Sequence, residues 1–534
     1  MSRLYNLLLA IILATLSVSC STAKQAGGQR SDITPFEYGL ASAKTGIERY
    51  QAVLKAHTAA LEAGVNVDYT GIDTIRLELP SKAVQIPLTS DNDFKGCVFI
   101  IKNKAKHIYL FKFVQESETI DIDKKIIDDG DFKNIKELKR NRSLLLVEDE
   151  KPWVQNRKGY AYGHTRKDIL LIEDGIAQNK TVMPYNNDYS QPKCSYIPLN
   201  NEPLTIKNIT IIRDQECTYV THIFQISGCD DVRLSGVSIY TPENTLHGDH
   251  AISIENSTNV TFENVHIEGT YSQKDTFGYG ISLNNVWNFK ATRLYGKGGW
   301  GVFGNNNVNT ATIEDSKINR FDVHCYGRDI SFKNVEFFDL YNQYASVYGT
   351  ILYDKCTFTD FIPVLNGGSY NSFVGHEVIM TDCTMNASPG KNVLFKFSRL
   401  NEGPNTRHEL SRKCLPNVKI KGLNVNLKDG ADVFYLFWSS ASGKSISGLE
   451  GISEILIEEL TINQDSEKQF KELVLSNINI QSVRPINCEI RDVKVNESSA
   501  KTKVTKGIQQ VRLKTNINVK GGRVRLNNAN ALKQ

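Results

Sequence analysis

The sequence predicts an all-β chain wound into a parallel β-solenoid, and three observations support this prediction. A short pattern recurs from about residue 204: an asparagine, aspartate or glycine, alternating apolar residues, a two-residue break and a second alternation. Successive copies begin roughly 20 to 30 positions apart, which is the size of one solenoid coil. Short strands with one apolar side need the coils above and below to bury that side. The copies include "DVRLSGVSI" (231–239), "NVTFENVHI" (259–267), "NFKATRLYG" (288–296), "DISFKNVEF" (329–337), "GTILYDKCTF" (349–358) and "HEVIMTDCTM" (376–385).

The first twenty residues predict an export signal that ends at a lipid-attachment site. An apolar core runs from Leu7 to Leu16, too short to span a bilayer, so residues 1–19 are interpreted as a cleaved signal peptide. The ending "LSVSC" resembles the lipobox of bacterial lipoproteins, which implies lipidation of Cys20 and a membrane anchor in the bacterial cell envelope, on its periplasmic or surface face. An ordinary secreted protein is the alternative. Residues 20–34 are predicted to form a flexible tether.

Residues 35–96 are predicted to form an N-terminal cap and the first coils. The segment "SAKTGIERYQAVLKAHTAALEAG" places apolar residues at helical spacing, and Gly64 is a natural stop. A helix here would cover the open edge of the first coil, which could otherwise pair with other chains. Residues 97–203 fit the repeat poorly and are interpreted as an irregular excursion packed on the solenoid. Residues 204–530 are assigned to coils.

Composition argues against two classes of partner. The formal net charge is +4, and no run of five or six like charges occurs, so nucleic acid is not predicted to bind. The ten cysteines include no paired CxxC arrangement, so no metal site is predicted from them. Cys356 and Cys383 occupy the same place in two similar segments. They are predicted to stack as small buried residues, with a disulfide as the alternative.

A helix followed by "GIDTIRLELPSKAVQIPLTS" and repeated strands resembles the pectate lyase and polygalacturonase superfamily. Over about residues 35–530 the resemblance implies a right-handed parallel β-helix with an N-terminal capping helix. The most specific local match is "HGDHAISIENSTNVTFENVHI" (247–267), which is similar to a polygalacturonase segment in which adjacent aspartates precede an apolar strand. Asp249 matches one of those carboxylates, and His250 stands in place of the other.

The stretch "NRFDVHCYGRD" (319–329) contains the main candidate site. Read as a strand, it points alternate side chains to opposite faces. Histidine and tyrosine can transfer protons, arginine can neutralise a uronate carboxylate, and aspartate can act as acid, base or calcium ligand, so calcium is a possible cofactor although none is required. The predicted outward row is Asp322, His324, Tyr326 and Arg328. The predicted core includes Val323, Cys325, Ile330, Phe332, Ile252, Ile254 and Ile281.

A second candidate surface is "PWVQNRKGYAYGHTRKD" (152–168), which interleaves aromatic and basic residues. Aromatic faces can stack on sugar rings while guanidinium groups pair with acidic substituents. Packing of the excursion onto the solenoid is the alternative explanation. The predicted sugar-contacting residues are Trp153, Arg157, Tyr160, Tyr162, His164 and Arg166, together with an exposed Trp300 in the glycine-rich segment 296–309.

These features predict an exported enzyme that acts on a polysaccharide, with an acidic glycan as the expected substrate. In a lyase, Arg328 would neutralise the uronate while His324 or Tyr326 transfers protons. In a hydrolase, Asp322 and Asp249 would be the acid and base. The rival prediction is a non-catalytic lipoprotein that binds glycans or serves as a cell-envelope scaffold.

Overall fold

The computed structural model describes residues from Ser31 to Arg525, with internal gaps. Cys20 and the predicted signal peptide lie outside the described residues, so export and lipid attachment stay predictions. Within the described ranges, every helix is too short or too polar to span a bilayer. The gaps are residues 104–107, 140–141, 155–163, 182–191, 200–201, 215–220, 242–249, 270–271, 274–275, 345–346, 368–376, 388, 399–412, 415, 428–430, 440–448, 451–453, 465–471, 477–486, 492–493, 497–500, 505–509, 514–517 and 520–523.

The predicted N-terminal helix is present and covers the first coil. Two short 3₁₀ turns, Pro35–Tyr38 and Leu40–Ser42, precede helix α1 (Gly46–Ala63). A capping box at Thr45 begins the helix, and Gly64 ends it in the left-handed conformation with φ of 66°. The apolar face of the helix packs against the first strand, so the solenoid does not begin with an open edge.

Two further strands of the solenoid lie beyond the predicted first coils of residues 35–96. The fourth and fifth strands lie inside the segment interpreted as an excursion, yet both pair in parallel with later coils. Their apolar runs lack the two-residue break of the repeat, so the pattern did not reveal them. The first strands are β1 (Thr74–Leu79), β2 (Ile86–Pro87), β3 (Asp91–Asp93), β4 (Val98–Asn103) and β5 (Ile108–Val114).

A five-stranded antiparallel sheet, here called the insert sheet, replaces the irregular excursion that was predicted. One face packs on its own helix through residues such as Leu145 and Leu170. The opposite face presents Ile169 and Leu171, which belong to an apolar cluster that contacts Trp287 of the solenoid. Its elements are β6 (Glu118–Ile120), α2 (Lys124–Asp129), β7 (Ser143–Val154), β8 (His164–Glu173), β9 (Ile176–Ala177) and β10 (Lys193–Pro198).

The main coils stack in parallel, and apart from local register shifts each residue lies directly above one residue of the next coil. This register buries a continuous apolar column, which confirms the parallel solenoid. One column contains Ile206, Leu234, Phe262, Ala291, Ile313, Phe332, Tyr353, Met380, Ile420 and Ile457. The strands are β11 (Leu204–Arg213), β12 (Thr221–Ser227), β13 (Asp230–Thr241), β14 (Ile252–Gly269), β15 (Ser272–Gln273), β16 (Thr276–Phe277), β17 (Tyr279–Thr292), β18 (Tyr295–Lys297), β19 (Gly301–Ile318), β20 (Phe321–Phe338), β21 (Tyr341–Tyr344), β22 (Val347–Asp354), β23 (Thr357–Thr359), β24 (Ile362–Gly367), β25 (Glu377–Thr381), β26 (Thr384–Ala387) and β27 (Gly390–Ser398).

The predicted core residues are buried wherever their side chains are described. Cys325 lies outside the described side chains. Cys356 and Cys383 are buried in adjacent coils and form no disulfide, so the predicted stack of small residues is confirmed. The buried predicted residues are Ile252, Ile254, Ile281, Val323, Ile330 and Phe332.

The solenoid continues through short strands as far as Val524–Arg525, close to the predicted end. Nearly all of them extend the stack of the main coils, and only β28 and β32 pair apart from it. These strands are β28 (Lys413–Cys414), β29 (Asn417–Lys421), β30 (Asn424–Leu427), β31 (Ala431–Ser439), β32 (Leu449–Glu450), β33 (Glu454–Glu458), β34 (Thr461–Gln464), β35 (Glu472–Ser476), β36 (Asn487–Arg491), β37 (Lys494–Asn496), β38 (Lys501–Val504), β39 (Gln510–Leu513), β40 (Asn518–Val519) and β41 (Val524–Arg525).

Left-handed residues turn the chain at the corners of each coil. At one corner, Asn256, Asn285 and Asn307 stack in successive coils, and all have positive φ. Asn285 Nδ2 donates to Asn256 Oδ1 at 2.9 Å, and Asn307 Nδ2 donates to Asn285 Oδ1 at 2.6 Å. Asparagine suits this role because its short side chain tolerates the conformation and can hydrogen-bond locally. Tyr326, with φ of 36°, occupies the next place in this ladder.

Candidate functional site

A buried ion pair lies beneath the outer face of the solenoid near the start of β20. Arg320 Nε donates to Asp322 Oδ1 at 2.5 Å, and Arg320 Nη2 contacts Asp322 Oδ2. The Asp322 side chain is 0% exposed. Burial alone would raise the pKa of Asp322, but the adjacent Arg320 guanidinium outweighs it and holds that pKa below the usual value. Asp322 is therefore a fixed negative charge rather than the solvent-facing acid or base that was predicted.

Tyr279 reaches this ion pair from two coils away. Its hydroxyl donates to Asp322 Oδ2 at 2.8 Å. The ring crosses the intervening coil at Gly304, where a Cβ atom would lie only 2.4 Å from the Tyr279 ring. Gly301 makes room for Arg320 in the same way, since a Cβ there would lie 2.5 Å from that side chain. The glycine-rich segment therefore opens a path for two long side chains.

His324 is the accessible member of the group. Its Nε2 lies 2.8 Å from the Tyr279 hydroxyl oxygen and 3.3 Å from Asp322 Oδ2, and its side chain is 26% exposed. The register of β19 and β20 shifts here, leaving His324 without an opposite residue, as in a β-bulge. A bulge can re-aim a side chain toward a site. We call Tyr279, Arg320, Asp322 and His324 the outer-face cluster.

The hydrogen bonds of the outer-face cluster define which nitrogen of His324 carries the proton. The Tyr279 hydroxyl hydrogen is given to Asp322, so the Tyr279 oxygen accepts from His324 Nε2–H. His324 Nδ1 has no hydrogen-bond partner among the described residues, and it is the atom left to accept a proton from outside. Burial, followed by the Asp322 charge, raises the pKa of the Tyr279 hydroxyl, so Tyr279 stays protonated.

Aromatic and amide groups surround the outer-face cluster. Trp300 is 43% exposed, as predicted, and its ring centroid lies 5.8 Å from that of Tyr279. Its carbonyl oxygen accepts a hydrogen bond from Arg320 Nη1 at 2.8 Å. The His250 ring lies nearly parallel to the Tyr279 ring, with their centroids 6.4 Å apart. Gln343 Oε1 accepts from Arg320 Nη2 at 3.3 Å. Each of these groups contacts a member of the outer-face cluster.

Tyr326 and Arg328 were predicted to share a site with His324, and the structure does not bring them together. The left-handed turn at Tyr326 interrupts the period-two alternation on which that prediction depended. Tyr326 is 2% exposed, and its hydroxyl accepts from the backbone nitrogen of Lys167 in the insert sheet. Arg328 lies beyond the corner, where it pairs with Asp329 at 3.1 Å. Tyr326 therefore anchors the insert sheet instead of facing substrate.

The second candidate surface is only partly described. Arg166 was predicted to face sugar, but its side chain is 1% exposed and pairs with Asp168 at 3.0 Å. It shares a strand face with Leu170, which belongs to the core of the insert sheet. The backbones of Trp153 and His164 lie in β7 and β8, but their side chains are outside the described set. Also outside the described residues are Asp249, Arg157, Tyr160 and Tyr162.

The cluster resembles no carboxylate metal site. Among the described residues, no group of three histidine, cysteine or acidic side chains is placed to hold a metal ion. The arrangement can do something else: a partly exposed imidazole with one nitrogen fixed by a tyrosine and a carboxylate can act as a general base toward a bound molecule. Sequence reasoning missed Tyr279, Arg320 and Gln343. The available signal was Gly301 and Gly304, two glycines in β19, which lies between β17 and β20. A glycine inside such a strand can indicate that a neighbouring group approaches the backbone closely.

Comparison with solved structures supports the fold. The tailspike protein gp49 of Pseudomonas phage LKA1 aligns with a TM-score of 0.50 at 13% identity, covering 90% of this chain and 84% of that chain. The Gp54 tailspike of Acinetobacter baumannii bacteriophage AP22, in complex with capsular saccharide, aligns with a TM-score of 0.52 at 11% identity, covering 90% and 79%. The chain is thus a right-handed parallel β-helix. No protein-family model and no curated protein sequence matches this chain.

Proposed function

We propose that this protein binds a uronate-containing polysaccharide on the outer face of the solenoid and cleaves it by β-elimination, with His324 as the base. One observation carries the proposal: His324 Nε2 is held by the Tyr279 oxygen at 2.8 Å and by Asp322 Oδ2 at 3.3 Å, while the side chain is 26% exposed. The same logic operates when a carboxylate orients a catalytic histidine in hydrolases. Tyr279, Asp322 and Arg320 are positioning residues in this proposal.

The elimination step needs no co-reactant. His324 Nδ1 takes the proton from C5, the carbon next to the uronate carboxyl group. The electron pair of that C–H bond forms the C4–C5 double bond as the C4–O bond to the neighbouring sugar breaks. His324 then returns the proton to the departing oxygen. One chain becomes two, and one product carries an unsaturated uronate. The buried Asp322 carboxylate stabilises the imidazolium that exists between the two transfers.

Hydrolysis fits the outer-face cluster less well. Most glycoside hydrolases place two carboxyl groups about 5–9.5 Å apart across the scissile bond. Asp322 is the only carboxylate of the cluster, and it is fully buried against Arg320. The other predicted carboxylate, Asp249, lies outside the described residues. Elimination needs one accessible base, which His324 supplies.

Two further features support a polysaccharide as the bound molecule. The exposed Trp300 indole beside Tyr279 offers a flat apolar surface of the kind on which sugar rings stack. The AP22 tailspike, whose fold this chain shares, is in complex with a capsular saccharide. That second argument is an analogy at the level of fold, and the first depends on residues of this chain.

The test measures ultraviolet absorbance and reducing ends together on polygalacturonate, polymannuronate and glucuronan. We expect both signals to rise with at least one polymer, because elimination creates both a double bond and a new chain end. His324→Ala should lower the rate by about 10²-fold or more while thermal unfolding is unchanged. His266→Ala is the matched control: its side chain is 32% exposed and also contacts a carboxylate, Glu268, but on another side of the coil.

The other outcomes discriminate between functions. Reducing ends without ultraviolet absorbance would show hydrolysis and contradict elimination. Glycan binding without either signal would favour the second candidate, a non-catalytic glycan-binding protein. The observation that favours this candidate is that Arg320 and Asp322 already satisfy each other without a substrate. Full activity of His324→Ala on a polymer that the wild type degrades would place the base elsewhere.

A further inference from the structure

Gln343 contacts the outer-face cluster from the coil that follows it. Its backbone nitrogen donates to Asp322 Oδ1 at 3.1 Å. His324 Nε2 lies near the other carboxylate oxygen, Asp322 Oδ2. The side-chain Oε1 of Gln343 accepts from Arg320 Nη2 at 3.3 Å. Gln343 and His324 therefore flank the same buried ion pair, and both side chains are partly exposed.

The contact with Arg320 determines which way the Gln343 amide points. A guanidinium group can only donate hydrogen bonds, so the amide must turn its oxygen toward Arg320. The Nε2 group then points away from the ion pair. Within the described residues, Gln343 Nε2 has no hydrogen-bond partner. Two N–H donors are thus left for a ligand on a partly exposed side chain whose residue, like His324, contacts Asp322, and the bond to Arg320 fixes their direction.

We propose that Gln343 Nε2 binds the carboxylate of the uronate from which His324 removes the proton, and so selects an acidic substrate. The inference rests on the proposed function. Removing a proton next to a carboxylate moves negative charge onto its oxygens, and a preorganised N–H donor stabilises that charge. Two arginines of the described residues that lie nearest in sequence are not available for this role: Arg320 is committed to Asp322 and to the carbonyl of Trp300, and Arg328 lies beyond the corner.

The role of Gln343 predicts a charge-dependent effect that a structural role would not produce. In Gln343→Glu, one carboxylate oxygen would still accept from Arg320, while the other would face the substrate and repel a free uronate. A methyl-esterified uronate has no charge to repel. In Gln343→Met, which keeps the length and loses the donors, both forms of the substrate should lose stabilisation of the developing charge.

The experiment compares kcat/KM of the wild type and both variants on one uronate polymer in free-acid and methyl-esterified forms. We expect Gln343→Glu to lower kcat/KM by about 10²-fold or more on the free acid. On the ester, the fold-loss of kcat/KM should be at least tenfold smaller. Gln343→Met should lose about 10-fold or more on both. Gln85→Met is the matched control, since Gln85 Nε2 is already bonded to Gln225 Oε1 at 3.0 Å in the first coils.

The failures are distinguishable. If the wild type produces unsaturated product and both Gln343 variants keep full activity with unchanged unfolding, Gln343 is not the carboxylate-binding residue, and the proposed elimination stands. An equal loss for Gln343→Glu on the free acid and the ester would also overturn the inference, because it would indicate a structural effect. If the wild type cleaves none of the uronate polymers, the proposed function fails and this inference with it.

Discussion

Among the residues that the structure describes are two buried Arg-x-Asp ion pairs, one in the insert sheet and one in the solenoid. Arg166 and Asp168 have side chains 1% and 2% exposed, and Arg320 and Asp322 have side chains 5% and 0% exposed. Both pairs use the arginine Nε, at 3.0 Å and 2.5 Å from a carboxylate oxygen. In sequence, spacing and burial the two pairs are nearly identical, and only their surroundings differ.

The surroundings decide what each pair can do. Asp168 is buried and shares its strand face with Leu170, which belongs to the apolar core of the insert sheet. Asp322 is touched by the partly exposed His324, through which its charge can influence a bound molecule. The comparison teaches that the accessible His324, and not the buried ion pair itself, distinguishes the candidate site from a structural ion pair.

The strongest way to break this comparison is to neutralise each aspartate. Asp322→Asn and Asp168→Asn should both lower the unfolding free energy, by about 3–5 kcal/mol, because each removes a negative charge that contacts a buried guanidinium. Only Asp322→Asn should lower turnover, by about 10²-fold or more, since it also removes the group that orients His324. Urea unfolding and product absorbance measure the two effects. Equal loss of turnover in both variants would show that the difference is one of stability alone.

A subtler change sharpens the comparison by leaving both ion pairs intact. In Gly304→Ala, the new Cβ would lie 2.4 Å from the Tyr279 ring, so the ring must move away from Asp322. We expect turnover to fall by about 10-fold to 10²-fold, because a small displacement of a positioning group is costly. Tyr279→Phe, which keeps the ring and removes the hydroxyl, is the companion variant. If Gly304→Ala keeps normal turnover while Tyr279→Phe loses it, the Tyr279 hydroxyl can still reach Asp322 when a methyl group is present at position 304.

The smallest effect is expected where the two regions meet. Tyr326→Phe removes the hydroxyl that bonds the backbone of Thr165 and Lys167, so unfolding free energy should fall by about 1–3 kcal/mol. Turnover per folded molecule should not change, because Tyr326 is buried under the insert sheet and does not face the outer surface. Calorimetry and steady-state kinetics test this. A large loss of turnover would restore Tyr326 to the catalytic row that the sequence predicted.

The solenoid was predictable because every coil needs the same alternation of apolar side chains, and that alternation is visible in each short segment of the sequence. Each inward position needs an apolar side chain that stacks on the one in the next coil. Ile254 and Phe332 are buried in this way, although the coils differ in length. The insert sheet was not predictable in the same way. Its strands alternate like coil strands but pair antiparallel. The direction of pairing depends on tertiary contacts and cannot be inferred from the sequence of one strand.

The outer-face cluster was predicted only in part, for a physical reason. Asp322 and His324 were identified because they lie in one segment. Tyr279 was missed because its contact with Asp322 crosses two coils, 43 residues along the chain. Two local irregularities, the register shift at His324 and the left-handed turn at Tyr326, ended the alternation on which the predicted row depended.

The anchoring of the insert sheet at Tyr326 has a consequence for the order in which the molecule assembles. The Lys167 backbone bonds a side chain 159 residues later in the chain, and Asn307, which also bonds Lys167, is 140 residues later. When the chain is synthesised from its N-terminus, the insert sheet emerges well before the coils on which it finally rests. Contacts across such separations close late, after the intervening loop has been ordered. We therefore expect the insert sheet to dock only after the middle coils have formed.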